Sequence, residues 1–236
     1  MTVGTRQVVL LPSLGRPATD FDTLCVSLGE AGFEPHAIDP LPSWEGAPTL
    51  HDLADEVRRT MAERGISSAH IIGHAFGNRL ARMFTADHPD CVATLTLLAA
   101  GGYVPIAPSI DHSLLSCFDE SLSQSEHLEH VRRAFFAEGN DPSVWSSGWM
   151  PTVARYQRGA VVRTDRAEWW DAVALRVLVV QALDDVIAVP ENGRRYVADH
   201  PDCATLLEIS GAGHAMLPER PSEIAAGVLE FLQRSP

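Results

Sequence analysis

Apolar positions along this chain switch repeatedly between short unbroken runs and the three-and-four spacing of helices. Val8, Val9, Leu10 and Leu11 form a continuous run, which predicts a strand covered on both faces. Phe21, Leu24, Cys25, Leu28 and Ala31 then recur at helical spacing, and Gly32 closes that helix. The spacing puts Cys25 on the apolar face, as a buried and inert thiol. The stretch "FEPHAI" at 33–38 reads as a second strand, at a sheet edge if Pro35, which has no N–H to donate, belongs to it. A loop covers 39–48, and Leu50, Leu53, Ala54, Val57 and Met61 mark a second helix with Thr49 as its N-cap. "AHII" at 69–72 is a third strand. Phe76, Leu80, Met83 and Phe84 share one face of the next helix, which Pro89 ends, and "VATLTLLAA" at 92–100 is a fourth strand.

The pattern changes from 101 to 170. Only a weak "AVV" resembles a strand there, and helical stretches fall near 113–137 and 151–162. This segment reads as an inserted helical cap. Alternation resumes with "RVLVVQ" at 176–181, a helix near 191–200, "ATLLEI" at 204–209 and a last helix running from Ser222 through Ile224, Val228, Phe231 and Leu232. Six strands separated by helices predict an α/β fold, a mostly parallel sheet with helices on both faces. The expected division is a core of 1–100 and 171–236 with the cap at 101–170.

Composition narrows the chemistry. A chain of 236 residues, 45% hydrophobic, suits one domain with a sizeable core. The net charge is −13, and all 18 basic residues are arginine. Without basic clusters nucleic acid is not an expected partner, and without lysine neither Schiff-base chemistry nor a P-loop is available. The four cysteines are widely spaced with no CxxC pair. His70 and His74 fall on a strand and its turn, and His127 and His130 lack a third ligand, so no metal is expected. No GxGxxG follows a strand, so no nucleotide cofactor is expected either. The N-terminus lacks signal-peptide character and no stretch approaches membrane-spanning length, which predicts a soluble, cytoplasmic protein that meets a small-molecule substrate and no membrane.

The candidate chemistry starts at "IIGHAFGN", residues 71–78. A nucleophile elbow has the form GxSxG on a sharp strand-to-helix turn. "GHAFG" matches it except at Ala75, where the nucleophile would stand. Asp185 lies in "ALDDVIAVP" just past a predicted strand, at the sheet edge where such folds bind ligands. His214 follows 29 positions later in the small-residue loop "GAGHAMLPERPSE". The order nucleophile position, acid, histidine is therefore present with alanine in first place. The loop "LLPSLGRPATDF" after the first strand is where a second oxyanion donor would lie, so the N–H groups of Leu14 and Phe76 are the candidate oxyanion hole, with Ser13 the neighbouring alternative to Leu14 and itself taken as a substrate contact.

On "VVLLPSLG", "IIGHAFGN", "VLVVQALDDVIAVP" and "GAGHAMLPERPSEIAAGVLEFL" the chain resembles the α/β-hydrolase superfamily across almost its whole length. The resemblance implies the fold, a helical cap over the pocket, and catalytic roles for the positions of Ala75, Asp185 and His214. It favours Asp185 over Asp184 by its distance from Pro190, with Asp184 the alternative. Three departures stand out: Ala75 itself, Ala182 where glycine is usual, and too few residues before Val8 for the family's first two antiparallel strands.

Other positions carry two readings each. His74 reads as a packing residue or part of the substrate site. Arg16 reads as a grip for a substrate carboxylate or as a surface arginine. Trp145, Trp149, Trp169 and Trp170 line an apolar pocket or pack the cap, and Trp149 is taken as a substrate contact. His88, His112, His127, His130 and His200 read as solvated. For function three readings stay open: a serine hydrolase inactivated by Ala75, a lyase, cyclase or decarboxylase that uses a His–Asp base without a nucleophile, and a small-ligand binding module.

Overall fold

The computed structural model describes residues 5–172 and 176–234. Residues 1–4, 173–175 and 235–236, parts of the N-terminal stretch and of the predicted core, lie outside them. Strand β1 (Gln7–Leu11) leads through a short 3-10 turn to α1 (Asp22–Glu30) and β2 (Glu34–Ala37). Next come α2 (Leu50–Glu63), β3 (Ala69–His74), α3 (Phe76–Asp87) and β4 (Val92–Leu98). The elements between β4 and β5 are helical: α4 (Pro108–Ser116), α5 (Gln124–Phe135), a 3-10 turn, α6 (Pro151–Arg163) and α7 (Arg166–Trp170). The chain finishes with β5 (Val177–Ala182), α8 (Pro190–Asp199), β6 (Ala204–Ile209), α9 (Met216–Glu219) and α10 (Pro221–Gln233).

The six strands form one sheet in the order β2-β1-β3-β4-β5-β6, every neighbouring pair parallel. Connections on either side of β1 run in opposite directions across the sheet, so the C-terminal ends of β1 and β3 flank the crevice where open α/β sheets take ligands. Strands β1, β3 and β5 are buried on both faces, as their unbroken apolar runs require. One face packs Leu53, Val57, Met61, Met83 and Phe84 of α2 and α3 on Val9, Ile71 and Leu95. The other packs Leu24, Leu28, Val228 and Leu232 of α1 and α10, with Phe21 of the 3-10 turn, on Val8, Leu10, Ile72 and Val180. β2 is an edge strand, and it accommodates Pro35 there. Thr49 caps α2 in a reciprocal pair with Asp52.

Several local expectations change. The single helical stretch near 113–137 is two helices, because the chain turns at Asp119 and Ser121 and restarts with the Ser123–Glu126 capping box. "AVV" at 160–162 belongs to α6, since its β-branched residues follow an already helical register. Cys25 is only half-buried at the margin of its helix face, and burial still pushes its thiol up to about 11. His200 is not solvated: it packs on Tyr196 at 4.4 Å and hydrogen-bonds the Tyr196 carbonyl. No helix of the described residues is long and apolar enough to cross a membrane.

Candidate active site

The turn between β3 and α3 sets the site. Ala75 has φ 53° and ψ −107°, in the left-handed region that non-glycine residues rarely occupy, at a cost of about 1–3 kcal/mol. Its N–H donates to the Leu98 carbonyl at 2.9 Å, which ties the turn to the end of β4. The glycines on either side are dictated by contact. A Cβ at Gly73 would lie 2.3 Å from the Gly77 carbonyl oxygen, and one at Gly77 would lie 2.0 Å from that of Leu11. Below the turn, the buried Asn78 amide donates to the Ala99 carbonyl at 2.8 Å. Arg82 bridges Asn78 Oδ1 and the Gly101 carbonyl, each at 2.7 Å. The start of α3 is thus fastened to the chain leaving β4.

His214 and Asp185 meet from two different loops. His214 Nδ1 lies 2.8 Å from Asp185 Oδ2, and Asp185 Oδ1 accepts the N–H groups of Ile187 and Ala188, both at 2.8 Å. Both residues are buried. An acid held this way fixes the imidazole with Nδ1–H toward the carboxylate and Nε2 free to take a proton. Asp184 instead accepts the Gly211 N–H at 3.0 Å on the exposed side, clamping the acid loop to the histidine loop.

His74 supports this pair from behind. Its Nε2–H donates to the His214 carbonyl at 2.9 Å, and the two rings lie 5.6 Å apart. Burial, then the neighbouring His214 and Arg16, hold the His74 pKa down at about 3, so it is a neutral strut. Glu219, which sequence reasoning missed, is a second strut. Its carboxylate accepts the N–H of Gly213 at 2.7 Å, the N–H of Ala137 at 2.8 Å and the Asn140 amide at 2.6 Å, joining the histidine loop to the segment after α5. Burial raises its pKa against the pull of those hydrogen bonds. Glu219→Ala would strand buried donors, each worth roughly 1–3 kcal/mol. The expected loss is at least about 2 kcal/mol in urea unfolding.

Ala75 and His214 face one cavity of about 190 Å³. Its walls come from the sheet end (Ser13, Leu14, Phe76, Ile187) and from the helical segment (Ile106, Leu114, Phe135, Val161). Phe76 is the first residue of α3, so its N–H has no intrahelical acceptor. Leu14 N–H meets no acceptor among the described residues. The loop carrying it is held by Gly15 N–H on Gln157 Oε1 at 2.9 Å and by Met150 N–H on the Gly15 carbonyl at 3.0 Å. A site with a base on one side and two backbone donors on the other can stabilise negative charge developing on a carbonyl oxygen.

Of the four expected substrate contacts Ser13 lines the cavity, whereas His74, fully buried behind the pair, does not, and two more fall elsewhere. Arg16 is neither a surface residue nor a free grip: it is buried, forks onto both Asp20 oxygens at 2.9 and 2.7 Å, and stacks over Trp145 at 4.3 Å. An internal carboxylate four residues on fills the place meant for a substrate's. Trp149 packs among Phe118, Phe135 and Trp145, gives its indole N–H to the Trp145 carbonyl at 2.7 Å, and lines a separate groove with Phe118 and His127 instead of the cavity. Trp145, Trp169 and Trp170 are buried packing residues outside it as well. Sequence reasoning also passed over Arg79, Asp111 and Arg158 in the cavity wall. Arg79 was within reach, since it lies one helical turn after Ala75. Among the described residues no cluster of three or more His, Cys, Asp or Glu could hold a metal ion.

Comparison with known proteins gives a consistent picture. The model of the alpha/beta hydrolase family matches residues 8–227. The chain is 24% identical to a Caulobacter sp. (strain K31) protein named "Putative carbamate hydrolase RutD", over 92% of this chain and 93% of that one. Among solved structures, the enol-lactonase from Burkholderia xenovorans LB400 superposes with a TM-score of 0.79 at 17% identity, covering 98% of this chain and 93% of that one. A thermophilic esterase from Thermogutta terrifontis gives 0.79 at 20% identity, covering 99% and 91%.

Proposed function

Because the chain belongs to the alpha/beta hydrolase family, we propose that its cavity is a carbonyl-directed active site whose nucleophile position is occupied by Ala75. In this reading His214, oriented by Asp185, is the base, and the N–H groups of Leu14 and Phe76 receive the oxyanion. The observation that carries it is the shared cavity: the Ala75 methyl and the His214 ring line the same space, and His214 is already bonded to its acid. The relatives bearing carbamate hydrolase, enol-lactonase and esterase names all denote carbonyl substrates, which fits this chemistry. With alanine in place no acyl-enzyme forms, so this chain is inactive, or nearly so, as an esterase. The test is Ala75→Ser, assayed with a fluorophosphonate probe and a panel of aryl esters.

A second reading, base catalysis without a covalent step, has one observation in its favour. Ala75 keeps the strained elbow geometry although it holds no nucleophile, and Phe76 beside it lines the cavity. His214 would then take a proton from water or from the substrate itself, as in elimination, ring closure or decarboxylation. Under this reading His214→Ala lowers the turnover of the unmodified chain by about 10²–10⁴. An unchanged rate for His214→Ala, measured on any substrate the Ala75 protein converts, would sink it.

A further inference from the structure

Among the described residues, Arg79 lines the cavity without an internal anion. It lies four residues after Ala75 on α3, about 6 Å further along the helix axis. It lines the same cavity as Ala75 and His214, and it also lines the outer groove formed with Tyr103, Pro105 and Arg166. Among the described residues its guanidinium has no hydrogen bond and no ion pair; it only grazes the Trp169 ring at 5.8 Å. Its neighbours differ. Arg16 is held by Asp20, Arg82 by Asn78 and the Gly101 carbonyl, and Arg158 by Asp111 at 3.1 Å. Asp111 is thus engaged, and the cavity keeps one uncompensated positive charge in a chain whose net charge is −13. A Cβ at Gly101 would stand 3.8 Å from a guanidinium nitrogen of Arg79, so the chain leaving β4 passes close beside the arginine.

A guanidinium that lines the cavity with no partner among the described residues is available to a ligand, and its planar fork fits a carboxylate. We propose that the substrate carries a carboxylate and that Arg79 binds it, one helical turn from the reacting centre. This rests on the reading of the cavity as a carbonyl-directed site and adds to it the class of substrate: a small carbonyl compound with an acid group a few bonds from the reacting carbon. The apolar wall of Ile106, Leu114 and Phe135 then covers the chain between the two groups. Burial, followed by the nearby Arg158, lowers the Arg79 pKa only to about 10, so the group is cationic at neutral pH.

The experiment uses the chain as it stands, because without a nucleophile it binds esters without acyl-enzyme turnover. Monomethyl succinate is titrated calorimetrically against methyl levulinate, its uncharged isostere. The expected result is at least about tenfold tighter binding of the monoanion. Arg79→Gln should remove that preference by weakening only the monoanion, and Arg79→Lys should keep part of it. Equal affinities, no saturable binding of either compound, or a preference that survives Arg79→Gln would each overturn the proposal. The two ideas fail separately. An Ala75→Ser protein that stays unlabelled while the anion preference holds removes the hydrolase reading alone; labelling without an anion preference removes only the role of Arg79.

Discussion

Ala75→Ser is expected to turn a chain with almost no esterase activity into one that labels with a fluorophosphonate and hydrolyses aryl esters at least about 10³-fold faster. On the proposed reading of the cavity, one oxygen atom is what the site lacks. The elbow already has φ 53°, so the substitution adds no backbone strain and only extends a side chain that already points into the cavity. His214 is bonded to Asp185 at 2.8 Å, and Asp185 is locked by the N–H groups of Ile187 and Ala188. Removing the nucleophile from a working triad costs about 10⁶ in rate, which leaves ample room for the expected gain. Triad members act as a unit, so His214→Ala in the serine background should erase the gain, and Asp185→Asn should remove most of it. Labelling that persists after His214→Ala would mean the serine is activated by some other group.

Gly77→Ala is expected to be among the most damaging single methyl additions in the chain. The new Cβ would stand 2.0 Å from the Leu11 carbonyl oxygen and 2.7 Å from that of Pro12. These are backbone atoms of β1 and its exit loop, so no side chain can swing aside; β1 and α3 must separate. The separation would open the packing of Phe76 and Leu80 against Leu11 and shift the loop that carries Leu14. The expected cost is about 4 kcal/mol or more, at the upper end for point substitutions, read from the urea midpoint. Gly29→Ala is the matched control: a Cβ there meets nothing within 4 Å, and a helical position gains about 0.5–1 kcal/mol from the exchange. Equal stability of the two variants would contradict the close approach of β1 and α3.

The order and type of the main elements were readable because each is encoded locally. Unbroken runs such as Val8–Leu11 mark strands covered twice, and the spacing of Leu50, Leu53, Val57 and Met61 marks a helix with one buried face. The two glycines around Ala75 announced a turn too tight for side chains, and the structure shows the carbonyls that forbid them. Two helices were merged at 113–137 because polar residues with capping chemistry interrupt a helix without breaking its average composition.

The sequence by itself determined the alternation of strands and helices, the elbow, and the chain order of Ala75, Asp185 and His214, since all of these depend on neighbours a few residues apart. Tertiary structure alone decided which side chains meet. Asp185 and not Asp184 reaches His214 across 29 positions, and Glu219 reaches Ala137 across 82. The same holds for the arginines. Asp20 neutralises Arg16, while Arg79, which has no such partner among the described residues, is left facing the cavity. Whether a charge is spent or available depends on the distances between atoms brought together by folding, and local pattern carries no record of those distances.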